Sequence, residues 1–137
     1  MGIVLRNVAL GAYFLLYAGI NVADFLDPET RGGPSEFGTN LVLFLVGSIG
    51  LIAYAVRFAD SRMIAAWKVV APLFVIGQVA AMVVFPLPQD PALSARDNGT
   101  LAMMVLALVS VVLAPLVVIH FRFAAGKHLL PSKDRKP

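Results

Sequence analysis

The chain has 137 residues, 59% hydrophobic and 14% charged, with a formal charge of +3. Soluble domains carry about 25% charged residues, yet Asn7–Ala23, Phe37–Val56, Val69–Gln89 and Asn98–Phe121 contain no Asp, Glu, Lys or Arg. Charge segregated in this way excludes a disordered chain, argues strongly against a soluble core and indicates a polytopic membrane protein.

The four charge-free windows hold 17, 20, 21 and 24 residues. They predict an all-α integral membrane protein, a four-transmembrane-helix bundle with helices over about 3–25, 36–58, 62–85 and 100–122. That transmembrane domain fills residues 1–126, and a basic cytoplasmic tail follows over 127–137. No space is left for a soluble catalytic domain. Period-two alternation is absent, which argues against a β-barrel.

Helix one has an apolar centre, Val8–Ile20, of only 13 residues. That length also suits a signal-peptide core with Arg6 ahead of it. Cleavage after Ala23 would need a small residue where Asn21 stands, so the helix is expected to be retained. At about 1.5 Å per residue, Gly2–Phe25 reaches about 36 Å, enough to span. Breakers follow at Pro28, Gly32-Gly33 and Pro34, with Ser35 expected as the next N-cap and Glu36 suited to the positive end of helix two.

Helices two and three form an antiparallel hairpin through a tight turn, Ala59–Arg62, with Ser61 as the expected N-cap. Pro72 should kink helix three, and Pro86, Pro88 and Pro91 stop it. Asn98 or Asp97 is the expected cap of helix four, which Pro115 should bend. Asn98-Gly99-Thr100 is a formal glycosylation sequon, but it abuts helix four and fits a cap better.

The charges also predict orientation. Arg6, Arg57, Arg62, Lys68, Arg122 and Lys127 anchor one side. With Lys133, Arg135 and Lys136 they make nine basic residues, against Arg31 and Arg96 opposite. The positive-inside rule places both termini in the cytoplasm. Membrane lipids are the expected partners of these side chains, and the basic pI needs no nucleic acid. Trp67 beside Lys68 is expected as an interfacial anchor.

Polar side chains inside spans are functional hypotheses, because hydrocarbon penalises them. At about 100° per residue, Arg6, Tyr13, Tyr17, Asn21 and Asp24 fall within roughly 80° on helix one. This stripe either bonds neighbouring helices, at about 0.6 kcal/mol per bond, or forms a ligand site. Gln78 on helix three is the expected partner of such a site. Asn40, Ser48 and Ser110 are weaker candidates, and His120 suits the negative end of helix four. A haem role for this lone histidine has little support.

Gly47, Gly50, Gly77, Ala81, Ala107, Ser110 and Ala114 mark close helix packing. No Walker A, GxGxxG, HExxH or GxSxG pattern is present. Without cysteine, and with two histidines, no catalytic, cofactor-binding or metal residue is assigned and no cofactor is expected. The small four-helix multidrug transporters are similar in size, but they need an acid central in helix one, and Asp24 lies near its end.

The first helix, LRNVALGAYFLLYAGI, with Arg6 early and Gly19 late, and the four-span layout resemble the DoxX-like small bacterial membrane proteins. The resemblance implies a four-helix bundle in a bacterial inner membrane, with links to thiol or quinone redox systems. Three functions follow as expectations. The first is a non-enzymatic accessory or structural subunit, as a homo-oligomer or bound to a membrane-protein partner. The second is a binder or transporter of a small amphiphile through Tyr13, Tyr17, Asn21, Asp24 and Gln78. The third is a DoxX-like redox-associated or lipid-modifying protein.

Overall fold

The computed structural model describes residues 2–85 and 89–127. Pro86, Pro88 and residues 128–137 of the basic tail lie outside the described residues. The described chain is all-α. Its helices are α1 (Gly2–Leu26), α2 (Pro34–Ala55), α3 (Ser61–Val84) and α4 (Ala95–Ala124). Each is long and apolar enough to cross a membrane.

Contacts at the helix ends establish the antiparallel order. Phe25, late in α1, meets Phe37, early in α2, edge to face at 5.4 Å. At the opposite end, the Arg6 guanidinium donates to the Ala55 carbonyl at 3.4 Å. Trp67, early in α3, packs on Phe123, late in α4. The chain start and the α2–α3 turn therefore share a proximal end, and the α1–α2 and α3–α4 connections share a distal end. Helix α2 is central, packing against α1, α3 and α4; α3 also packs along α4.

The helix starts differ from those expected, each cap falling upstream of the residue the sequence suggests. Gly33, rather than Ser35, is the N-cap of α2, and Pro34 opens the helix, where its missing N–H costs nothing. Gly32 precedes it at φ +70°, and a Cβ there would fall 2.0 Å from Glu36 Oε2. Asp60, rather than Ser61, caps α3 by accepting from the Arg62 and Met63 amides at 2.7 and 3.3 Å. Ser94 accepts from the Asp97 amide at 3.2 Å, so α4 begins at Ala95 rather than Thr100. Asn98 instead ties down the preceding loop: it accepts from the Asp90 amide and donates to the Asp90 and Leu93 carbonyls.

Two helices end in the same hydrogen-bond pattern with different residues at its turning point. Gly126 (φ +67°) closes α4, its N–H bonding Phe123 O while Lys127 N–H bonds Arg122 O. In α2 the equivalent position is Arg57, at φ +54°, with bonds to Tyr54 O and from Phe58 to Ala53 O. Both are Schellman motifs, for which glycine is the unstrained residue.

The buried centre is Leu51 and Tyr54 of α2, Trp67, Ala71 and Phe74 of α3, and Leu116, Ile119, His120 and Phe123 of α4. Trp67 is 7% exposed and belongs to this core, whereas its neighbour Lys68 is exposed. It is therefore not an interfacial anchor: successive helical positions point about 100° apart, so the two side chains leave the helix on different faces. Leu15, Val83, Met103 and Val111 are among the large apolar side chains exposed on the outer faces. Such faces suit hydrocarbon, which makes no demand for polar cover.

Candidate functional site

The polar stripe of α1 turns toward the bundle: Arg6, Tyr13, Asn21 and Asp24 are half-buried and Tyr17 is buried, whereas Leu5, Val8, Leu15 and Leu16 are exposed. The stripe divides into two parts. Its proximal part bonds or packs on other helices. Arg6 reaches the last carbonyl of α2 and lies 5.9 Å from the Tyr54 ring centroid. A cation there also meets the negative end of the α2 dipole. Tyr13 donates to the Val112 carbonyl of α4, one turn before Pro115. Tyr17 inserts beside Gly47, where an added Cβ would fall 2.5 Å from its hydroxyl and 3.1 Å from Leu116 Cδ2. That hydroxyl is buried and bonds to no described residue.

The distal part lines a cavity of about 250 Å³. Tyr17, Ile20, Asn21 and Asp24 of α1, Asn40 and Phe44 of α2, Gln78 of α3, and Leu108, Val109 and Val112 of α4 are among its walls. A wider vestibule of about 540 Å³ shares Asp24, Asn40, Gln78 and Val109 with it and adds Glu29, Thr30 and Glu36. The two spaces together run from the distal end into the bundle, where α1 packs along α2 without an extended contact to α3 or α4.

Of the sequence candidates, Tyr17, Asn21, Asp24 and Gln78 meet at this cavity, and Tyr13 does not line it. Asn40 joins them. On sequence it ranked only as a weak candidate, because the rotation of α2 decides whether it faces lipid or the bundle. At about 1.5 Å per residue, Asn40 and Gln78 each sit about 9 Å inside the distal ends of their helices. Asn21 spends its amide N–H on the Tyr17 carbonyl at 2.8 Å. The side chains of Asp24, Asn40 and Gln78 bond to no described residue. Polar groups at such depth are normally paired. Here they converge on one space that is otherwise walled by Ile, Leu, Val and Phe.

A second polar cluster lies nearer the proximal end. His120 is 0% exposed. Trp67 Nε1–H donates to His120 Nδ1 at 3.2 Å. That bond puts the imidazole proton on Nε2, which faces the Gly47 carbonyl at 3.4 Å. The ring stacks on Phe74 at 4.5 Å. Gly50 makes this possible, since a Cβ would stand 2.6 Å from Nε2. The sequence expectation of a cation at the end of α4 is thus replaced by a neutral histidine locking α2, α3 and α4 together. Both ring nitrogens face protein groups, so the ring offers no free ligand atom. Among the described residues, no three His, Asp or Glu side chains come together as a metal site.

Comparison with protein-family models, curated proteins and solved structures finds no match to this chain. What fold and site define is a class: a small polytopic four-helix bundle without an obvious catalytic or metal-binding group among the described residues. Its all-α, four-helix architecture is consistent with the general DoxX-like layout.

Proposed function

We propose that the chain is a non-enzymatic membrane protein that binds a small amphiphile in the distal cavity. One observation carries this: the Asn40 and Gln78 amides have no partner among the described residues, yet both face one apolar-walled space within the span. An amphiphile answers both features, with its head satisfying the amides and its tail replacing lipid against Ile20, Phe44, Leu108 and Val112. A volume of about 250 Å³ lies just below the common range of about 300–1,000 Å³ for ligand sites. It suits a single short chain or ring. With the basic end in the cytoplasm, the vestibule opens toward the outer face of a bacterial inner membrane.

The test is a titration of protein in nanodiscs with a medium-chain alcohol, read against empty nanodiscs. Saturable binding that Val109→Trp abolishes, by filling the cavity, is expected. Partition identical to that of empty discs contradicts the proposal.

A second function has its own support. Ala107, Ser110 and Ala114 lie exposed on one face of α4, and small residues allow close approach of another helix. That face suits an accessory subunit that pairs with a second copy or with a larger membrane protein. Crosslinking in native membranes through Ser110→Cys or Ala114→Cys would trap the partner; monomer alone contradicts pairing. A DoxX-like redox role rests only on Arg6, Gly19 and the layout.

A further inference from the structure

We infer that the cavity selects a cationic head group, a protonated amine carried on an apolar body. The inference rests on the amphiphile-binding function proposed above and specifies its ligand. The formal charges on the walls of cavity and vestibule are all of one sign. Asp24 borders both spaces, and Glu29 and Glu36 border the vestibule, while neither space has a basic wall residue among the described residues. Glu36 folds back over Gly32 at the positive N-terminus of α2, so part of its charge is answered there. The Asp24 carboxylate has no such partner: it forms no ion pair or hydrogen bond with a described residue. It stands where the apolar cavity meets the vestibule.

The neutral groups inside are compatible with the same head. Asn40 and Gln78 each offer a carbonyl oxygen, and an ammonium has three donors and no acceptor. Asp24 and the two amide oxygens thus border these spaces as acceptors to which an ammonium can donate. A hydroxyl brings one donor to these acceptors and no charge to answer Asp24. A carboxylate head would bring a fourth like charge to a site walled by hydrocarbon, where unscreened repulsion is strongest. Behind the head, Phe44 and the Tyr17 ring pack at 5.5 Å between centroids, beside Leu108, Val109 and Val112.

The experiment compares three probes with one tail, octylammonium, octanol and octanoate, each titrated into the full chain in zwitterionic nanodiscs and corrected for empty discs. The ammonium is expected to bind at least about tenfold tighter than the alcohol, and the carboxylate most weakly. Asp24→Asn is expected to reduce the ammonium-to-alcohol affinity ratio at least about threefold. Glu29→Gln, on the exposed loop, provides a second variant whose folding is not at stake and should reduce the ratio in the same direction. Equal binding of ammonium and alcohol, or a ratio unchanged by Asp24→Asn in a protein with native thermal stability, overturns the charge selection and leaves amphiphile binding standing. Binding of none of the three overturns both.

Discussion

Replacing Gly50 with alanine tests the packing that holds the bundle together. Helix propensity alone favours the change by about 1 kcal/mol. The structure opposes it. The new Cβ would lie 2.6 Å from His120 Nε2, 2.7 Å from Cε1 and 3.0 Å from Trp67 Cζ2, where ordinary contact begins at 3.4 Å. The imidazole must therefore retreat by close to 1 Å, and Phe74 stacked at 4.5 Å stands against it. Overpacking of this kind costs about 1–3 kcal/mol. Weakening the Trp67–His120 hydrogen bond, whose partners are both buried, adds about 1 kcal/mol. The net expectation is a loss of about 1–3 kcal/mol after the propensity gain is subtracted. Gly19→Ala is the control, since a Cβ there meets nothing within 4 Å. The assay is thermal or denaturant unfolding in detergent, followed by the emission of Trp67, the only tryptophan. Gly19→Ala should be neutral or stabilising. Gly50→Ala equal to or more stable than Gly19→Ala would refute the reasoning.

Three further outcomes are expected. Trp67→Phe keeps an aromatic ring but removes the donor to His120 Nδ1, and should cost about 1–3 kcal/mol in thermal unfolding followed by circular dichroism; an unchanged midpoint would show that the bond is not made. Arg57→Gly relieves a left-handed backbone at the end of α2 and should stabilise by up to about 1 kcal/mol, whereas Gly126→Arg at the matching position of α4 should destabilise. Reporter fusions near residues 30 and 92 should report the outside, and those near 60 and 130 the cytoplasm; the reverse pattern contradicts the charge-based orientation.

The spans were legible because hydrocarbon tolerates so few charges that their absence marks each helix. The stripe on α1 was legible for the same reason, since polar residues at one helical angle stand out against apolar neighbours. Its division was not. Tyr13 and Tyr17 lie one turn apart. Tyr13 bonds α4 at Val112 and does not line the cavity, whereas Tyr17 sets its hydroxyl in the notch of α2 at Gly47 and still lines the cavity beside Asn21 and Asp24. His120 was harder still. Counted from the end of α4 it looks like a terminal cation, but α4 runs on to Ala124 and a notch made by Gly47 and Gly50 draws the ring into the core. Trp67 was misplaced because its sequence neighbour Lys68 suggested an interface. Helix rotation decides each of these cases, and a single sequence does not encode it locally. The capping residues failed for a different reason: Asp60 and Ser61, or Ser94 and Asp97, are chemically equivalent candidates, and backbone direction chooses between them.

The most direct measurement is the mapping of a photoactivatable alkylamine, crosslinked to the protein in nanodiscs and located by mass spectrometry. Amphiphile binding in the cavity predicts labels concentrated on Ile20–Asp24 of α1 and Leu108–Leu113 of α4, competed by unlabelled amine. Labels spread over the lipid-facing positions Leu15, Val83 and Met103, without competition, would contradict it.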